Sequence, residues 1–162
     1  MSEFTESVQS KCLAFSDRII KLNDYLLSQA AKAHEDYKKS QRKRTLTSNS
    51  SPLSSKFSVL SSACVPVYLQ SVSALCNQLL RSATSIGANN AEAINAISKQ
   101  DYRSKSFIAL KEARESLYWI DLLYRNNYIT TEQYQSIHTD CEELVKLLVT
   151  RCKKINAELK EK

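Results

Sequence analysis

One glycine and two prolines in 162 residues decide the fold class before any pattern is read. Sandwiches, barrels and Rossmann sheets need glycine at tight turns, and phosphate-cradling loops need several glycines close together. A chain whose single glycine is Gly87 has neither, so long helices remain and most nucleotide-dependent enzymes leave the list. The length suits one domain, and 43% hydrophobic with 25% charged residues is a composition that can bury a core. The expected fold is all-α: an up-down antiparallel four-helix bundle spanning residues 1–162, with a long basic insertion between its first two helices.

Apolar spacing supports four helices. Val8, Cys12, Phe15, Ile19, Leu22 and Leu26 alternate steps of four and three, the signature of a bundle seam. A second stripe, Leu13, Ile20 and Leu27, repeats every seven residues and lies about 100° around the same helix. It is either the edge of one wide stripe or a contact with another subunit. Pro66 suits the start of a second helix, whose seam reads Val72, Leu75, Leu79, Ala83, Ile86, Asn90, Ala93 and Ile97. Gly87 there costs up to about 1 kcal/mol relative to alanine, which predicts a close approach by a neighbouring helix. Asn90 falls on the apolar register with Asn89 and Glu92 beside it, and a polar layer is expected.

Ser98-Lys99-Gln100-Asp101 has the form of an N-terminal cap, so helices two and three should be joined by a short turn. The third helix is expected to bury Tyr102, Ala109, Ala113, Leu117, Ile120 and Tyr124. Its other flank gathers Arg103, Lys111, Arg114 and Arg125 within an arc of about 80°, interrupted by Asp121. This reads as a solvated charged flank, or as partners for Glu92 and the acids of the bundle, before it reads as a ligand groove. Asn126-Asn127 suits a left-handed helix end, and Thr130-Thr131-Glu132-Gln133 a capping box. The last helix carries Tyr134, Ile137, Cys141, Leu144, Leu148, Cys152, Ile155 and Leu159. Its basic end, including Arg151, Lys153 and Lys154, favours the helix dipole.

The net charge of +6 is concentrated in one place. Lys38, Lys39, Arg42, Lys43, Arg44 and Lys56 face only Glu35 and Asp36 in their stretch of chain, amid serine, threonine and Pro52. Residues 35–62 therefore read as a flexible basic insertion: a solvated tail in the plain reading, an electrostatic foot on nucleic acid in the sharper one.

Catalytic and metal chemistry find little support. The five cysteines include no CxxC pair, and Cys141 and Cys152 lie about 16 Å apart along one helix, too far for a disulfide. The thiols are expected to be reduced core residues of a cytoplasmic protein without a signal peptide. His34 and His138 have no ligand at metal spacing, and no ExxH pair is present. No enzyme activity, cofactor, metal or membrane span is expected.

The stretch from Gln78 to Ala93, QLLRSATSIGANNAEA, resembles bacterial four-helix-bundle proteins first noticed as reading frames within intervening sequences of large-subunit ribosomal RNA genes. That group is related to the accessory variability determinant of diversity-generating retroelements. The likeness continues through Ser98, Asp101 and Lys105, then Ile108 to Glu115 with Tyr118-Trp119. Upstream it takes in Lys11 to Phe15 and Ile19 to Leu22. The resemblance implies an up-down bundle assembled into a homopentameric ring, with Leu13, Ile20 and Leu27 as a subunit contact. It also implies nucleic acid, RNA in particular, and a reverse transcriptase as partners. The insertion, roughly Glu35 to Ser71, departs from the family's usual short connection.

These readings combine into an oligomeric RNA-binding accessory protein. Its phosphate contacts would come from Lys38, Lys39, Arg42, Lys43 and Arg44, with Arg103 and Arg114 as lesser candidates. The alternative is an adaptor ring that recruits a protein and touches no nucleic acid.

Overall fold

In a computed structural model, residues 3–47 and 55–160 are described, with side chains for 6–43 and 69–158. They form four helices and no strand: α1 (Glu3–Thr47), α2 (Ser55–Ile94), α3 (Lys99–Arg125) and α4 (Thr131–Lys160). Each packs on its neighbour in sequence, and α4 closes the bundle by returning to α1. Cross-links between helices fix the antiparallel register. Ser16 Oγ lies 3.4 Å from the Ala83 carbonyl, Arg81 pairs with Glu115 at 2.6 Å, and Lys11 pairs with Glu143 at 2.9 Å.

The first seam is buried as spaced, from Val8 through Leu26, and continues to Ala30. In α4, Ile137, Cys141, Leu144, Leu148, Cys152 and Ile155 are all buried, Tyr134 is half-buried, and Leu159 lies outside the described side chains. The seam of α3 sits slightly around the helix from its expected line. Ser106, Ala109, Ala113, Ser116, Ile120 and Leu123 are buried, whereas Tyr102, Leu117 and Tyr124 are only half-buried. Small serines let α2 and α3 approach: the Ser116 hydroxyl lies 3.0 Å from that of Ser82, which donates to the Leu79 carbonyl at 3.2 Å. Ile97, placed on the α2 seam by spacing, lies beyond the helix end in the turn and is 95% exposed.

The caps form as read. Ser98 accepts from the Asp101 amide at 3.0 Å, and Thr130 and Gln133 exchange both bonds of a capping box. Asn127 adopts φ 58°, the left-handed conformation that ends α3. Gly87 faces Cys12 and Ser16, but a methyl group there would meet Cys12 Cβ at 3.5 Å, an ordinary contact. Packing does not force glycine at this position, contrary to the expectation of a close approach.

The insertion expected over residues 35–62 differs most. α1 runs on to Thr47 and α2 begins at Ser55, well before Pro66, so the described part of this stretch is helix. The physical reason lies in its seam. His34, Tyr37 and Gln41 continue the three-four spacing of Leu26 and Ala30 and are half-buried. An aliphatic search passes over such residues. By the pairing of Arg18 with Asp140 and Ser136, α4 starts alongside the middle of α1, so α1 beyond Ala30 projects past the α3–α4 turn.

Candidate nucleic-acid interface

The projecting part of α1 sorts its side chains by angle. At 100° per residue, His34, Tyr37 and Gln41 fall within about 60° of arc, and Lys38, Arg42, Lys39 and Lys43 continue around the helix from about 40° beyond His34 over roughly a further 140°. All four cations are exposed. Lys39 pairs with Glu35 at 3.0 Å, one turn away, which pulls the Glu35 carboxyl below the usual carboxylate range through that hydrogen bond and raises Lys39. The Arg44 side chain lies outside the described residues. What spacing took for a loose cluster is thus a basic face on a helix, with phosphate-reaching groups held at helical intervals.

Arg103 and Arg114 stand on α3, away from that face. Arg103 donates from Nε to Asn156 Oδ1 at 2.9 Å, and its guanidinium lies 5.2 Å from the centre of the Phe107 ring. Arg114 is exposed, as are Lys111 and Arg125 in the same arc. The acids of the bundle are engaged elsewhere: Glu92 pairs with Lys105, Glu115 with Arg81, and Asp121 accepts from the Tyr134 hydroxyl at 3.0 Å.

The expected polar layer has a different membership. Asn90 is completely buried, donating to Gln9 of α1 and accepting from Arg151 Nη1 of α4 at 2.5 Å. Asn89 instead donates to the Ser85 carbonyl of its own helix at 2.9 Å, and Glu92 lies at the surface with Lys105. Sequence spacing put Arg151 in the basic end that favours the helix dipole. It is only 4% exposed, because a buried amide accepts its charge-assisted bond. Gln9 and Arg151 lie on separate helices, and nothing local in sequence links them to Asn90.

On the outside of α1, Leu13 is 57% and Ile20 42% exposed, whereas Leu27 is half-buried against the core. Tyr25 is exposed on the same helix.

Among the described residues the four thiols are chemically quiet. Burial pushes Cys12 and Cys76 up to about 11 and Cys141 up to about 12, and it raises Cys152 as well. Thiolate is the nucleophilic form, so these sulfurs act as small apolar groups. Glu112 is raised by burial first and by neighbouring Glu115 second, against a lowering by Arg81. His138 sits beside the Tyr134 ring, 3.8 Å from Asp121. Among the described residues no group of three His, Cys, Asp or Glu could hold a metal ion, and no helix is long and apolar enough to cross a membrane.

The sequence matches the model of the 23S rRNA-intervening sequence protein family over residues 64–150, more than half of the chain. Among solved structures, a protein of unknown function from the S23 ribosomal protein family of Bacteroides thetaiotaomicron VPI-5482 is 34% identical. The alignment covers 93% of this chain and 98% of that one, with a TM-score of 0.64. No curated protein matches.

Proposed function

We propose, since the chain belongs to the 23S rRNA-intervening sequence protein family, that it is a non-enzymatic, oligomeric RNA-binding accessory protein of the cytoplasm. The observation that carries this reading is the exposed basic face of α1, where Lys38, Arg42 and Lys43 run around the helix from the edge of the half-buried line of His34, Tyr37 and Gln41. Such a face makes phosphate contacts without reading bases, so selectivity comes from RNA shape or from a partner.

Exposed Leu13 and Ile20 support self-association, and the ring implied by the family resemblance is a homopentamer. A ring multiplies weak sites through effective concentration. The resemblance to the accessory determinant of diversity-generating retroelements extends the proposal to a reverse transcriptase as protein partner. The raised thiols favour a binding role over nucleophilic catalysis.

Salt tests the proposal. Three phosphate contacts per subunit on a single strand give a log-log slope of about −2, or roughly a 20-fold loss of affinity between 50 and 200 mM salt for each engaged subunit. An adaptor ring would bind RNA weakly or not at all at every ionic strength, and that result would refute the proposal.

A further inference from the structure

The outer face of α3 brings together two kinds of group. Arg103, Phe107, Lys111, Arg114, Tyr118 and Arg125 fall within an arc of about 80° and extend for about 33 Å along the helix. Lys111, Arg114, Tyr118 and Arg125 are exposed, and Arg103 and Phe107 are half-buried. Two carboxylates lie close by: Glu115, beside the stripe, is engaged by Arg81, and Asp121, which falls within the same arc and is half exposed, accepts from the Tyr134 hydroxyl. What remains is a positive stripe with aromatic rings set into it.

Tyr118 is the unusual member. It is 56% exposed, a large aromatic ring in water with no core to fill. Its neighbour Trp119 meets it edge to face, with ring centres 5.0 Å apart. Trp119 is itself held, donating from Nε1 to Glu115 at 3.1 Å while Glu115 is fixed by Arg81. Tyr118 is thus braced on one side and open on the other. At the far end, the Arg103 guanidinium lies over Phe107 and presents a second flat cationic surface.

We propose that this stripe is a stacking platform for unpaired segments of a polynucleotide. The inference rests on the RNA-binding reading and names the part of the RNA that is held. A duplex hides its base faces, so exposed rings between cations gain nothing from it beyond charge. An unpaired strand offers phosphates to Lys111, Arg114 and Arg125 and a base face to Tyr118, and base–aromatic stacking tolerates any sequence. The α1 face, which carries no exposed ring among its cations, supplies charge alone.

The test titrates the full-length protein against fluorescently labelled single-stranded RNA, single-stranded DNA and duplex RNA of one length. Wild type is expected to favour the single strands. Tyr118→Ala should weaken them by about 5- to 150-fold and leave the duplex nearly unchanged, while Tyr118→Phe, which keeps the ring, should bind as wild type does. Lys111→Gln with Arg114→Gln should lower the single-strand salt slope by about 1.4. Equal binding of RNA and DNA sustains the platform and makes it blind to the sugar. A preference for RNA sustains it and adds a contact to the 2′-hydroxyl. Unchanged binding by Tyr118→Ala, equal losses in the Ala and Phe variants, or tighter binding of duplex would overturn the platform while RNA binding itself stands. Absence of RNA binding by wild type would remove both.

Discussion

Replacing Asn90 by alanine tests the buried network that ties three helices together. Asn90 is fully buried, and its amide is the hinge of the layer: Gln9 accepts from it and Arg151 donates to it. The alanine variant strips a buried guanidinium of an acceptor and leaves a cavity. A buried polar group deprived of its partner costs about 1–3 kcal/mol, and a charged one more, so the expected loss is about 3 kcal/mol. For a domain of this size that is a fall in Tm of roughly 6–12 °C. Thermal and urea melts followed by circular dichroism, at one fixed protein concentration, read it directly. The companion variant Asn90→Leu with Arg151→Met removes both polar groups together and should recover most of the loss, because a well-packed apolar pair can replace a buried ionic contact. Gln9 is half-buried and can turn to water. A loss below about 0.5 kcal/mol for Asn90→Ala, or strict additivity of the two single changes, would refute the reasoning.

Gly87→Ala should raise stability by up to about 1 kcal/mol, since the new methyl meets Cys12 at an ordinary 3.5 Å and the helix gains propensity; a lower melting temperature would show that the helices have no room. Leu13→Glu with Ile20→Glu should convert the assembly to monomers in sedimentation while helical content stays, because both side chains are exposed in the single chain; an unchanged particle mass would remove this face as the contact. Stability should also fall with alkaline pH. The unfolded thiols lose their protons near 9.0, whereas burial holds Cys12 and Cys76 up to about 11 and Cys141 up to about 12. Their contribution is therefore fully present below pH 9.0 and is lost as pH rises through the folded values. Urea midpoints on either side of pH 9.0 measure it, and a Cys141→Ala variant with an equally steep decline would assign the effect elsewhere.

Wherever burial and apolarity coincide, the fold was legible in the sequence. Val8 through Leu26 and Ile137 through Ile155 follow bundle spacing because aliphatic side chains fill both seams. The turns were equally readable, since Ser98, Asn127 and Thr130 act on backbone groups within a few residues of themselves. Legibility fails where polar side chains do structural work. His34, Tyr37 and Gln41 continue a seam that a composition rich in lysine and serine disguises as an insertion. Ser106 and Ser116 take core positions on α3 where spacing favoured Tyr102 and Leu117. Arg151 hides in the core because its partner lies on a helix far away in sequence. The same division holds for the candidate site. The cations of residues 38–44 were visible as a cluster, but the arrangement of Lys38, Lys39, Arg42 and Lys43 as one face of a helix, and Tyr118 held edge to face by Trp119, depend on neighbours that only folding supplies.

The most direct measurement is the salt dependence of RNA affinity for wild type beside Lys38→Gln/Arg42→Gln/Lys43→Gln. These three residues are exposed on the α1 projection, so the variant should keep its melting temperature. RNA binding through this face predicts that the log-log slope becomes shallower by about 2 per engaged subunit, with affinity at low salt falling in step. Identical slopes and affinities for the two proteins would contradict the assignment of RNA to the basic face of α1.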